Sequence, residues 1–123
     1  MSFTPYLENK LLAHVLANTA YTAPTTLYVS LWSGDPLSGG TEVTGTGYAR
    51  QSAAFSVTAS AGANTNNVEF QAESVWGTVN YAGIHDAITG GNTLIAASLQ
   101  QTRTIADEDI VRFAIGDIDV TLT

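Results

Sequence analysis

The chain has 123 residues, 45% of them hydrophobic and only 12% charged, with a net charge of −7 at pH 7. One domain of that length buries roughly two thirds of the surface of its unfolded chain, and the composition excludes a disordered chain, which couples low hydrophobicity to high charge. The four basic residues, Lys10, Arg50, Arg103 and Arg112, are scattered and leave no footprint for nucleic acid; with no cysteine there is no disulfide framework and no thiolate chemistry.

The N-terminus has no charged segment leading into an apolar run, so it does not read as a signal peptide, and no apolar run approaches the ~20 residues of a membrane span. A soluble protein is expected. Thr4 suits an N-cap and Pro5 the first helical position, where its missing N–H costs nothing. Glu8 falls in the first turns, where the helix dipole favours negative charge. Leu7, Leu11 and Val15 make an apolar stripe at helical spacing, flanked by Leu12 and Leu16. The spacing predicts a helix over residues 4–18, ended near Asn18, that covers one end of a β core or docks on a neighbouring subunit.

From Thr25 the pattern changes. In "TTLYVSLW", Leu27, Val29 and Leu31 alternate with Tyr28, Ser30 and Trp32, the two-residue period of a strand. Five glycines and a proline between residues 33 and 48 mark a long loop. "ARQSAAFSVTAS" and "NNVEFQAE" read as strands around a turn at residues 62–67. "TVNYAGIHDA" and "NTLIAASLQ" read as a pair joined by Thr89, Gly90 and Gly91, with Val79, Tyr81, Gly83 and His85 on one face and Ala82, Ile84 and Asp86 on the other. In "EDIVRFAIGDIDVTLT", Val111, Phe113 and Ile115 share one phase, and Ile118, Val120 and Leu122 the other. The slip at Gly116 and Asp117 fits a β-bulge. The expected fold is mainly β: one domain over residues 1–123, an antiparallel β-sandwich or jelly-roll barrel of about seven or eight strands with one N-terminal α-helix.

Catalytic patterns are weak. A serine–histidine–aspartate set exists on paper, but there is no G-x-S-x-G elbow, His14 belongs to the helix, and the adjacent His85 and Asp86 point to opposite strand faces. Asp117 and Asp119 would share a strand face, yet nothing indicates the cleft a glycosidase needs. Asp107, Glu108 and Asp109 form an acidic turn without the ligand spacing of a calcium loop, and the glycines match no phosphate cradle. Trp32, Trp76, Tyr48 and Tyr81 would stack on sugar if exposed, although aromatics in a small β domain are more often core or interface. No catalytic residue, cofactor or metal ligand is assigned.

Four segments, "YLENKLLAHVLANTAYTAPTTLYVSLWSGDP", "TEVTGTGYARQ", "WGTVNYAGIHDAITGGNTLIAASL" and "FAIGDIDVTL", resemble, in this order, a family of small tailed-bacteriophage virion structural proteins. Members often carry a tail fibre label. The resemblance implies a non-enzymatic virion component. A fibre shaft shows repeats, and this chain has none; its low charge suits packing against identical copies on a shell. The expectation is therefore a capsid decoration or cement protein on the capsid surface, forming a homotrimer that clamps the major capsid protein, without nucleic acid or membrane. The alternative is a tail or tail-fibre component that binds host-surface glycan. Candidate interface residues are Leu7, Leu11, Val15, Trp32, Asp35, Tyr48 and Trp76.

Overall fold

The computed structural model describes residues 2–121. Strand β1 (Ser2–Phe3) lies on the edge of the main sheet, and helix α1 (Pro5–Leu16) follows after one residue. That residue, Thr4, is extended (φ −72°, ψ 157°) and caps the helix, its Oγ1 accepting from the Leu7 N–H at 3.3 Å. The same hydroxyl donates to the Thr93 carbonyl at 2.7 Å, and the Thr4 N–H donates to the Leu94 carbonyl at 2.9 Å. One side chain thus starts the helix and fastens it to the sheet. Asn18 ends it in the left-handed conformation (φ 54°), a region that short polar side chains tolerate.

The strands that follow are β2 (Leu27–Ser33), β3 (Thr41–Glu42), β4 (Gln51–Ala53), β5 (Phe55–Thr58), β6 (Ala61–Asn64), β7 (Val68–Gln71), β8 (Gly77–His85), β9 (Thr93–Ile105), β10 (Ile110–Phe113) and β11 (Asp119–Thr121). The main sheet runs β1-β9-β8-β2-β3, with β4 also paired to β2; β10-β7 and β11-β6-β5 form two smaller sheets. Every pairing is antiparallel. The fold is an antiparallel β-sandwich. Its core joins Val29, Leu31, Val79, Ile84 and Ile105 of the main sheet to Val68, Phe70 and Val111 of the β10-β7 pair, with Ile118 beside them.

The strand count exceeds the expected seven or eight because two segments split where the chain changes sheets. β4 pairs with β2, but after Ala54 the next strand, β5, pairs with β6. The hairpin turn lies at Ala59 and Ser60, not at residues 62–67; Ala59 takes the left-handed conformation without a glycine to announce it. The slip at Gly116 and Asp117 is likewise a turn instead of a bulge: β10 pairs with β7, and β11 pairs with β6. Asn64, 2% exposed, holds this corner, its amide donating to the carbonyls of Asn66 and Ala114. Ile115 is exposed, Ile118 is buried, and Leu122 lies outside the described residues.

The predicted alternation along β8 also breaks. Val79 pairs with Arg103 and Tyr81 with Ser98, so Asn80 alone faces residues 99–102. The bulge reverses the phase, and Val79 joins Ile84 in the core despite its opposite parity. The helix stripe divides as well. Leu7 is buried and Leu11 half-buried, but Val15 is 74% exposed. Anchored at Thr4, the helix leaves the sheet as it rises.

Candidate functional site

The loop over residues 33–48 is long, yet it is fastened at several points. The Asp35 carboxylate accepts from the Leu37 N–H at 2.9 Å, and its carbonyl accepts from the N–H groups of Ser38 and Gly40. Gly34 donates to Asn80 Oδ1 at 2.7 Å, a use for the unpaired residue of the β8 bulge. Farther on, the Trp76 indole donates to the Thr46 carbonyl at 2.9 Å and meets Tyr48 edge-on at 5.5 Å. Gly45 lies so close that a Cβ there would overlap the indole.

Where β3 ends and β4 has not begun, the edge of β2 lacks a strand partner among the described residues. Tyr48 fills part of the gap: its hydroxyl accepts from the Leu31 N–H at 3.1 Å and donates to Glu42 Oε2 at 2.6 Å. Arg50 Nε and NH2 grip the two oxygens of Glu42 at 2.8 and 2.9 Å, while NH1 donates to the carbonyls of Ala87 and Gly90, both at 2.9 Å. A guanidinium fork suits such a planar two-point contact. The pair joins the loop to the turn between β8 and β9. Burial alone would raise the Glu42 pKa, but hydrogen bonds from Arg50 and Tyr48 outweigh it and hold the group below its ordinary value. Burial together with the bond to Glu42 pushes the Tyr48 phenol well up. Asp86 closes the turn, accepting from the Asn92 N–H at 2.7 Å and from its side-chain amide at 3.1 Å.

His85 is the other concentration of polar groups. It is 1% exposed and Ser30 is fully buried. The Trp32 indole donates to Ser30 Oγ at 2.7 Å, Ser30 lies 2.6 Å from His85 Nε2, and His85 Nδ1 lies 3.3 Å from Thr93 Oγ1. Burial, then the charge of Arg50, pushes the His85 pKa down to about 4, so the ring is neutral at pH 7. Trp32 donates to Ser30, and the single Ser30 hydroxyl hydrogen has two acceptors in reach, His85 Nε2 and the Gly83 carbonyl at 3.4 Å. The imidazole tautomer therefore sets the direction of the bonds on to Thr93. Gly83 lies beneath it because a Cβ would meet Ser30 Oγ at 2.9 Å. A serine–histidine pair is thus present, but a threonine faces the imidazole where a triad places a carboxylate, and Asp86 serves the turn instead.

The other acidic groups are also local. Asp109 accepts from the Ala106 N–H and Asp117 from the Ala114 N–H, each closing a turn. Asp117 therefore lies outside the strand that holds Asp119, and the two do not share a strand face as expected. Among the described residues, no three His, Asp or Glu side chains gather as a metal site.

Of the candidate interface residues, Tyr48 and Trp76 meet each other, Trp32 stacks on His85 (centroids 6.2 Å apart), Asp35 shapes the loop, Leu7 faces the sheet, and Val15 faces outward. Sequence reasoning missed Glu42, Arg50, Ser30 and Asn64. The chain-wide scarcity of basic residues was the one available pointer to Arg50.

The family model of the podophage GP4 fiber I protein gp80 matches residues 2–121, and the chain belongs to that family. No curated protein matches it.

Proposed function

We propose that this member of the podophage fiber I family is a non-enzymatic structural component of the tail-fibre apparatus of a phage virion. The observation that carries the reading is the family match itself, which spans residues 2–121 of the chain. The earlier expectation of a capsid cement protein rested on missing repeats and low charge. Neither feature argues against a fibre part that is not its shaft, and the fibre reading, first taken as the alternative, has the family's support.

The geometry supports a scaffold in preference to a glycan reader or a hydrolase. Both indole nitrogens are committed within the chain, to Ser30 and to Thr46. The Ser30–His85 pair is sealed from solvent. The loop over residues 33–48, where a binding function would be sought first, is tied to β8 and to the β8–β9 turn. Gold-labelled antibody against the chain, imaged on purified virions, tests the location. Label confined to the tail is expected, and label spread over the capsid lattice would restore the cement reading. A host-glycan array incubated with the protein is expected to show no binder; a binder lost in Trp32→Ala would replace the scaffold reading with an adhesin.

A further inference from the structure

The hairpin of β5 and β6 reaches beyond the core. Phe55 packs against the core at its base, but residues 56–60 are all exposed, Val57 to 76%. Among the described residues β5 pairs with β6 alone, so its outer edge is free. The register fixes which backbone groups line that edge. Asn64 stands opposite Phe55 and donates its N–H the other way, to Ile118. In an antiparallel ladder the backbone groups of such a pair point away from each other. Phe55 and, two residues on, Val57 therefore turn their N–H and C=O groups outward, and their side chains share one face.

Charge and register identify the occupant as a second copy. A charged side chain is a common guard of a free edge. Strand β9 has Arg103 and β11 has Asp119, while residues 51–68 contain no charged residue at all. Copies with a net charge of −7 repel one another over most approaches. Joined across β5, they hold their Asp119 carboxylates five strand spacings apart, about 24 Å, against a Debye length of about 8 Å. The edge is also complementary to itself. About a two-fold axis at Ser56, Phe55 of each copy faces Val57 of the other in a hydrogen-bonded pair that uses all the outward groups. Each exposed valine is then covered by an aromatic ring across the strands, a favourable cross-strand pairing.

We propose that β5 is a homodimerisation edge: two copies pair it antiparallel about Ser56 and join their three-stranded sheets into one, ordered β11-β6-β5-β5-β6-β11. The contact is isologous, so it closes at two copies, and it leaves the helix unused. The inference does not depend on where in the virion the chain resides. One short edge lies at the weak end of interface sizes. Neighbours held in one particle meet at a raised effective concentration, which favours the pair there.

Sedimentation of the full 12.9 kDa chain at increasing concentration tests it. A monomer–dimer equilibrium is expected, with the dimer dominant in the millimolar range. Hydrogen exchange at the Phe55 and Val57 amides slows as the dimer forms. Val57→Lys gives a monomer with unchanged circular dichroism, since the side chain of a single copy lies in solvent. Thr121→Lys, on the opposite edge of the sheet, and Val15→Glu, on the helix, leave the dimer intact. Ser56 meets its own counterpart in a non-hydrogen-bonded pair, about 4.5 Å between Cα atoms and within disulfide reach. In a chain without native cysteines, Ser56→Cys therefore oxidises to a covalent dimer, whereas Thr58→Cys, which faces Ala54 of the second copy, does not. A wild type that stays monomeric throughout, or a mass that grows past two chains, would overturn the proposal. So would a dimer that survives Val57→Lys, one lost in Thr121→Lys or Val15→Glu, or equal cross-linking of the two cysteine variants.

Discussion

Asn64 and Ile118 bind each other twice: the Asn64 N–H donates to the Ile118 carbonyl at 3.2 Å, and the Ile118 N–H donates to Asn64 Oδ1 at 2.9 Å. The side-chain amide also holds Ala114, so one asparagine secures the crossing from β10 to β11. Asn64→Ala leaves the Ile118 N–H and the Ala114 carbonyl without these partners in a buried setting. The expected loss is roughly 2–4 kcal/mol. Urea denaturation measures it, and a loss below about 1 kcal/mol would remove Asn64 from this role.

The Glu42–Arg50 pair, with side chains 21% and 9% exposed, predicts a non-additive pattern. Arg50→Met leaves a half-buried carboxylate without its cation and is expected to cost roughly 3 kcal/mol. Adding Glu42→Gln removes the stranded charge, so the double variant should be more stable than Arg50→Met alone. A double variant whose loss equals the sum of the singles contradicts the coupling.

His85 makes stability depend on pH. Its folded pKa is depressed to about 4, against about 6.5 for an unperturbed histidine, so between these values the unfolded chain binds more protons. Stability is full above pH 6.5 and falls as pH falls toward 4. The contribution lost between pH 7.5 and 5 is on the order of 2 kcal/mol. Glu42, also depressed, adds a loss in the same direction below its unfolded pKa of 4.5. Denaturant midpoints across this range should decline in the wild type and flatten between pH 7 and 5 in His85→Gln. An unchanged slope in that variant assigns the effect elsewhere.

Gly45→Ala tests the contact between loop and indole. The added methyl overlaps Trp76, which must give up its bond to Thr46 or displace the loop. The expected cost is about 1–3 kcal/mol, accompanied by a red shift of tryptophan emission as the indole becomes wetter. An emission spectrum identical to wild type would show that the loop accommodates the methyl without moving Trp76.

Local patterns carried much of this fold. Thr4 and Pro5 announce the helix start because capping depends on neighbouring residues alone, and Gly90 with Gly91 announces the β8–β9 turn for the same reason. The alternation through Leu27, Val29 and Leu31 identifies β2. It does not reveal that Ser30, on the other face, is equally buried, because two-residue periodicity distinguishes faces and not their coverings. The corners at Ala54 and at Gly116 were misread since the partners that define them, Asn66 for Ala54 and Asn64 for the second corner, belong to other segments. The Arg50 contacts with Ala87 and Gly90 span 37 and 40 residues, and no spacing rule reaches that far.

Strand β9 is 13 residues long, and beyond Ala96 its outer edge has no strand partner among the described residues. A straight edge of that length is a template for unlimited sheet growth. The four residues crowded opposite Asn80 interrupt it near its middle. The irregularity that supplies Asn80 to the loop therefore also acts as a safeguard against amyloid-like stacking, when many newly made copies accumulate before they are built into particles.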